Sequence, residues 1–103
     1  MNNPKAATRL DDRLAAELAE LFRALSDPTR IRMIAALLEG EINVGALAAQ
    51  VGISESAASH QLRTLRQMRL VRTRKQGRTV FYRLDDDHVT DLFQRGLDHV
   101  LHG

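Results

Sequence analysis

The sequence predicts a mainly α-helical fold with a β-hairpin wing, a homodimeric winged helix-turn-helix. Three observations predict it. Two helical stretches, residues 44–51 and 54–68, meet at a glycine turn around Gly52. After Leu70 helical spacing gives way to the alternation of strands. Amphipathic stripes open and close the chain. With 103 residues it reads as one domain, residues 11–103, behind a short polar arm, residues 1–10. A lone chain of this size buries only roughly 60 to 68% of the surface its unfolded form exposes, which favours a partner subunit.

In the first helix, residues 11–25, the apolar residues Leu14, Leu18, Leu21, Phe22 and Leu25 recur at helical spacing. Ser26-Asp27-Pro28 then punctuates, with Asp27 as the cap of the next helix and Pro28 at its first position. Ile31, Ile34, Ala35 and Leu38 share a face there, and Gly40 stops the helix. Asn43 caps the short helix 44–51. Ser54 caps the longer one, with Glu55 at its positive end and Ala58, Leu62 and Leu65 inward. Strands are expected over 71–75 and 79–84 around a Gln76-Gly77 turn, with Val80, Tyr82 and Leu84 on one face. A final helix begins near Asp86 or Asp87 and carries Val89, Leu92, Phe93, Leu97, Val100 and Leu101. Gly96 interrupts its stripe at a cost of about 1 kcal/mol against alanine, which points to close approach of another backbone.

The absence of cysteine excludes a disulfide framework, a catalytic thiol and a thiolate metal site. The opening residues lack the apolar core of a signal peptide, and no run of 18 uncharged apolar residues occurs, so the expected place is the cytoplasm, with no membrane partner. Net charge is only +2, but no acid lies between Glu55 and Asp85, a stretch with eight Arg or Lys. One surface should be basic.

A helix-turn-helix followed by a basic hairpin is the layout in which the second helix enters the major groove of double-stranded DNA and a wing follows the backbone. The outward residues of that helix, Ser56, Ser59, His60, Arg63 and Gln67, can all hydrogen-bond a base edge or phosphate. Arg72, Arg74, Lys75 and Arg78, with Gln76 at the turn, would meet phosphates as mobile groups, adding affinity without sequence information. The plainer reading is a solvated basic face.

Asp86, His88, His99 and His102 gather three of the four histidines and a carboxylate into the last helix and its entry. His88 and His99 are eleven residues apart. They return to one helical face within about 20°, but the rise separates them by ~16 Å. That is too far for one zinc ion with bonds of about 2 Å. His99 and His102, at i and i+3, form one half-site, and Asp86 with His88 forms the other. Two last helices packed antiparallel across a twofold axis would join unlike halves into two four-ligand sites. Three imidazoles and one carboxylate suit a closed tetrahedral Zn(II) site without a vacant position, which favours sensing over catalysis, and Co(II) takes the same geometry. Asp85 and Asp87 are rival ligands, and Asp87 is a rival for the cap. The plainer reading is helix-end polarity, histidine at the negative end and aspartate at the positive one. A hydrolase using Asp86 and His88 would lack a nucleophile and a pocket, so no enzyme is expected.

Residues 26–30 (Ser-Asp-Pro-Thr-Arg), 54–62 (Ser-Glu-Ser-Ala-Ala-Ser-His-Gln-Leu) and 75–78 (Lys-Gln-Gly-Arg) together closely resemble the ArsR/SmtB family of small dimeric winged-helix repressors. The likeness runs from about Leu14 to His102, and the chain's ending resembles the zinc-sensing branch. The resemblance implies that Asp86, His88, His99 and His102 are the metal ligands and that Ser56, Ser59 and His60 enter the major groove. It also implies that the metal-free dimer holds an operator and that metal releases it. Many relatives carry a cysteine ligand where this chain has Asn43, so their thiolate site is absent. The alternative is a winged-helix DNA-binding dimer that is constitutive or answers a non-metal signal.

Overall fold

A computed structural model describes residues 9–103. The expected arm, residues 1–10, lies outside the described residues except for Arg9 and Leu10. Among the described residues the order is α1 (Asp12–Ala24), α2 (Pro28–Leu37), β1 (Ile42–Asn43), α3 (Val44–Val51), α4 (Glu55–Gln67), β2 (Val71–Gln76), β3 (Thr79–Leu84) and α5 (Asp87–His102). This is the expected winged helix-turn-helix, with no helix long and apolar enough to cross a membrane among the described residues.

Each helix starts where a short side chain can replace a missing backbone partner. Asp11, Asp27, Asn43, Ser54 and Asp86 each accept a hydrogen bond from the N–H three residues on. Asp86 is therefore the cap of α5, and Asp87 is its first residue. Gly52, at φ +84°, closes α3 in the left-handed region and turns the chain into α4. At the end of α4 the same job falls to Arg69, at φ +61°, with Leu70 N–H donating to Leu65 O over 2.9 Å. An arginine there was not legible as a stop.

Three corrections concern packing and register. The face of α2 that enters the core is Met33, Ile34, Ala36 and Leu37, whereas Ile31 is 36% exposed. The apolar residues of α2, Ile31, Met33, Ile34, Ala35, Ala36 and Leu37, point to every side of the helix, so periodicity could not choose its inner face. The wing turn is Gly77-Arg78, because Gln76 pairs with Thr79. Gly77 has φ +62°, as a two-residue hairpin turn with glycine first requires. Finally, β1 makes the sheet three-stranded in the order β1-β3-β2, with Ile42 opposite Tyr82 and Asn43 opposite Phe81. Two residues carry no periodicity to read.

The core sits between α2, α3, α4 and the inner face of the sheet, with Met33, Ile34, Leu47, Leu62, Leu65 and Val71 fully buried. The two end helices stand largely outside it. Leu14, Leu18 and Phe22 of α1 are 38%, 41% and 51% exposed, and Leu97, Val100 and Leu101 of α5 are 43%, 81% and 65% exposed. Between them lies an open apolar groove of about 460 Å³ lined by Phe22, Leu25, Ile31, Leu92, Phe93 and Leu97. Gly96 also lines it, and a Cβ there would meet nothing within 4 Å, so no backbone of the same protomer explains that glycine.

Leu62 anchors α4 from the middle of its buried face. Leu62→Ala should cost about 2–5 kcal/mol in urea unfolding at fixed chain concentration, and a loss below about 1 kcal/mol would show that α4 is not held by this core.

Candidate functional site

The second helix of the helix-turn-helix, α4, is fixed on its inner side by Ala58, Leu62 and Leu65, all fully buried. That packing turns Ser56, His60, Arg63 and Gln67 to solvent, with Ser59 half-buried at the edge. A further clamp was not foreseen from the sequence. Arg30 of α2 donates from Nε to Gln61 Oε1 over 2.7 Å and from Nη1 to Ala24 O over 3.3 Å. One guanidinium thus ties the end of α1 and the middle of α4 to α2. Arg30 lay in a motif, but no spacing rule pairs it with a residue 31 positions on.

The wing's cations divide into two groups. Among the described residues Lys75 and Arg78, at the exposed tip, have no ion-pair partner. Arg72 reaches the carbonyl of Asp85 with Nη1 at 3.4 Å. Arg74 is engaged within the protomer: its Nε lies 3.0 Å from both carboxylate oxygens of Glu41 and its Nη2 2.9 Å from Oε1. Nη1 donates to Gln76 Oε1 at 3.0 Å, and the guanidinium carbon sits 5.0 Å from the centre of the Phe81 ring. Two nitrogens of the guanidinium meet the carboxylate, a forked, charge-assisted contact. The hydrogen bond from Arg74 holds the Glu41 carboxyl below its usual value of 4.5.

At the last helix the four candidate ligands fall into two pairs, not one cluster. Asp86 Oδ1 accepts from Val89 N–H at 3.1 Å, while Oδ2 is 3.4 Å from His88 Nδ1. The backbone hydrogen bond of Val89, helped by His88, holds the Asp86 carboxyl below 3.8. His99 and His102 lie at the other end of the same unbroken helix, about 16 Å away at 1.5 Å per residue. Among the described residues no group of three or more His, Cys, Asp or Glu from one protomer could hold a metal ion. Asp98, not foreseen, places Oδ1 3.6 Å from His102 Nε2. Its i, i+4 offset to His102 was the available signal. Asp85 N–H donates to Leu70 O over 3.0 Å, joining the entry of α5 to the turn between α4 and β2.

An exposed polar helix seated in a helix-turn-helix, flanked by a cationic hairpin, defines a winged helix-turn-helix DNA-binding regulator. Residues 27–73 match the model of the bacterial regulatory protein, arsR family. The chain is 39% identical over 101 residues to the HTH-type transcriptional regulator NmtR of Mycobacterium tuberculosis, covering 98% of this chain and 82% of that protein. It belongs to the arsR family, whose members are transcriptional regulators and not enzymes. It is also 50% identical over 86 residues to the transcriptional repressor SmtB homolog of Synechocystis, covering 84% of this chain but only 65% of that protein. Among solved structures it is similar to the homodimeric winged helix-turn-helix DNA-binding domain Mb0332 of Mycobacterium bovis, with a TM-score of 0.78 and 28% identity over 100% of this chain and 94% of that one.

The lowered Glu41 carboxyl fixes the sign of a pH effect. The ion pair contributes stability at pH values above about 4.5, and that contribution is lost as the pH falls through the lowered value in the folded protein. Glu41→Gln should therefore lower the melting temperature at pH 7, and the difference from wild type should close towards pH 3. A constant difference across that range would contradict the pairing.

Proposed function

We propose that this chain is a metal-responsive transcriptional repressor whose dimer holds operator DNA when metal-free and releases it when Zn(II) binds between the two copies of α5. The observation that carries the reading is the division of the donors. Asp86 and His88 stand together at one end of a rigid helix, and His99 and His102 stand at the other, out of reach. Each protomer so offers two incomplete halves. The exposed apolar faces of α1 and α5, and the glycine facing open space between them, supply a surface for a second copy lying antiparallel.

The donor set fits the ion. Three imidazoles and a carboxylate make a four-coordinate nitrogen and oxygen site, and Asp86 keeps Oδ2 for a ligand while Oδ1 serves the helix cap. Co(II) would accept the same donors. When bound, zinc supplies a cross-link between the two last helices. Asp85 N–H, hydrogen-bonded to Leu70 O in the turn that follows α4, would connect that entry to the segment leaving the recognition helix. Ser56, Ser59, His60, Arg63 and Gln67 would face the groove, and Lys75 and Arg78, with Arg72 and Gln76, the flanking phosphates. Half-sites about one helical turn apart follow from the twofold.

Regulation requires that metal bind the free dimer more tightly than the DNA-bound one. Operator anisotropy should show affinity falling about 5- to 150-fold with zinc. His99→Ala should keep the metal-free affinity and lose the zinc response, and unchanged operator affinity in wild type would overturn the reading. Protons compete for imidazoles below about pH 6.5, so zinc affinity should weaken between pH 7.5 and 5.5. An affinity flat over that range would exclude histidine ligation.

A further inference from the structure

The outer face of the sheet carries a charge arrangement that DNA binding does not explain. Strand alternation and the register place Arg72, Arg74 and Gln76 of β2 on the same face as Phe81 and Arg83 of β3. Glu41, immediately before β1, is the acid that meets this face, and its carboxyl feels both Arg74 and Arg83. Arg74 does not extend from the wing. It crosses β3 over the Phe81 ring and grips Glu41 beyond, with Nε and Nη2 both engaged at 2.9–3.0 Å. A third donor, Nη1, is taken by Gln76. Lys75 and Arg78, a few residues away, have no such partners among the described residues.

A phosphate and a carboxylate compete for the same planar fork of donors. We propose that Glu41 withholds Arg74 from the DNA backbone, so that the wing meets phosphates with its tip cations while Arg74 serves as a strap across the three strands. Glu41 is then a positioning residue that limits sequence-independent affinity. Such a limit has a use: every phosphate cation strengthens binding to all DNA alike, whereas a regulator depends on the ratio of operator to bulk affinity. The inference rests on the DNA binding of the family and is independent of any metal site.

The test is the salt dependence of metal-free protein on a mixed-sequence duplex. Each phosphate neutralised adds about 0.9 to the slope of log affinity against log salt. Lys75→Gln and Arg78→Gln should each make the slope shallower by about 1.8 per dimer, one contact from each protomer. Glu41→Gln should steepen it by a similar amount, since the freed guanidinium reaches a phosphate. Arg74→Gln should leave it near the wild-type value. Glu41→Gln combined with Arg74→Gln should remove the gain. All four positions are at the surface, and far-UV circular dichroism confirms that each variant is folded. An unchanged slope in Glu41→Gln, a shallower slope in Arg74→Gln alone, or a gain that survives in the double variant would each overturn the proposal. The last outcome would assign the effect to the missing carboxylate charge.

Discussion

The structure depends on one imbalance: the chain makes more amphipathic helix than its core can cover. The second helix, the helix-turn-helix and the sheet enclose Met33, Leu47, Leu62, Leu65 and Val71 completely. The first and last helices reach that core only through Ala24 and Val89, and α5 past Phe93 presents Leu97, Val100 and Leu101 to solvent. At about 25 cal/mol per Å² of apolar area, leaving those faces wet forfeits several kcal/mol that a second copy could recover. On the proposed function, a dimer built on these helices would set the spacing of two recognition helices and the meeting of two incomplete donor pairs together. Oligomerisation, DNA geometry and metal response would then share a single cause.

The basic side of the molecule is less uniform than its composition suggests. Among the described residues the cations at the wing tip have no ion-pair partner, whereas Arg74 and Arg30 are committed to Glu41 and Gln61. The two committed arginines brace the parts that would touch DNA: Arg74 spans the sheet behind the wing, and Arg30 fixes the recognition helix to the ends of two others. Positive charge therefore does two jobs here, and partner geometry decides which arginine does which.

Helix starts were legible because a single side-chain oxygen creates each cap, and Asp27, Asn43 and Ser54 could be read without knowing the rest of the fold. The hairpin was legible from alternation, though its turn lies one residue later because pairing across the sheet, not the Gln-Gly pair, sets the register. Three features depend on partners distant in sequence and left no local signal: the strand Ile42–Asn43, the inner face of α2 and the grip of Glu41 on Arg74. For the last helix, spacing alone separated the two pairs of candidate donors, since an unbroken helix converts residue number into distance. Which aspartate caps it was decided by one hydrogen bond, from Val89 N–H to Asp86.

The central claim is that unlike halves of two chains complete each metal site, and mixed dimers test it most directly. One chain would carry Asp86→Ala with His88→Ala, and the other His99→Ala with His102→Ala. Cobalt(II) absorption should show no tetrahedral bands in either doubly substituted homodimer. The mixed dimer should recover one intense site, formed by Asp86 and His88 of one chain with His99 and His102 of the other. Mixed dimers as silent as their parents would contradict the account.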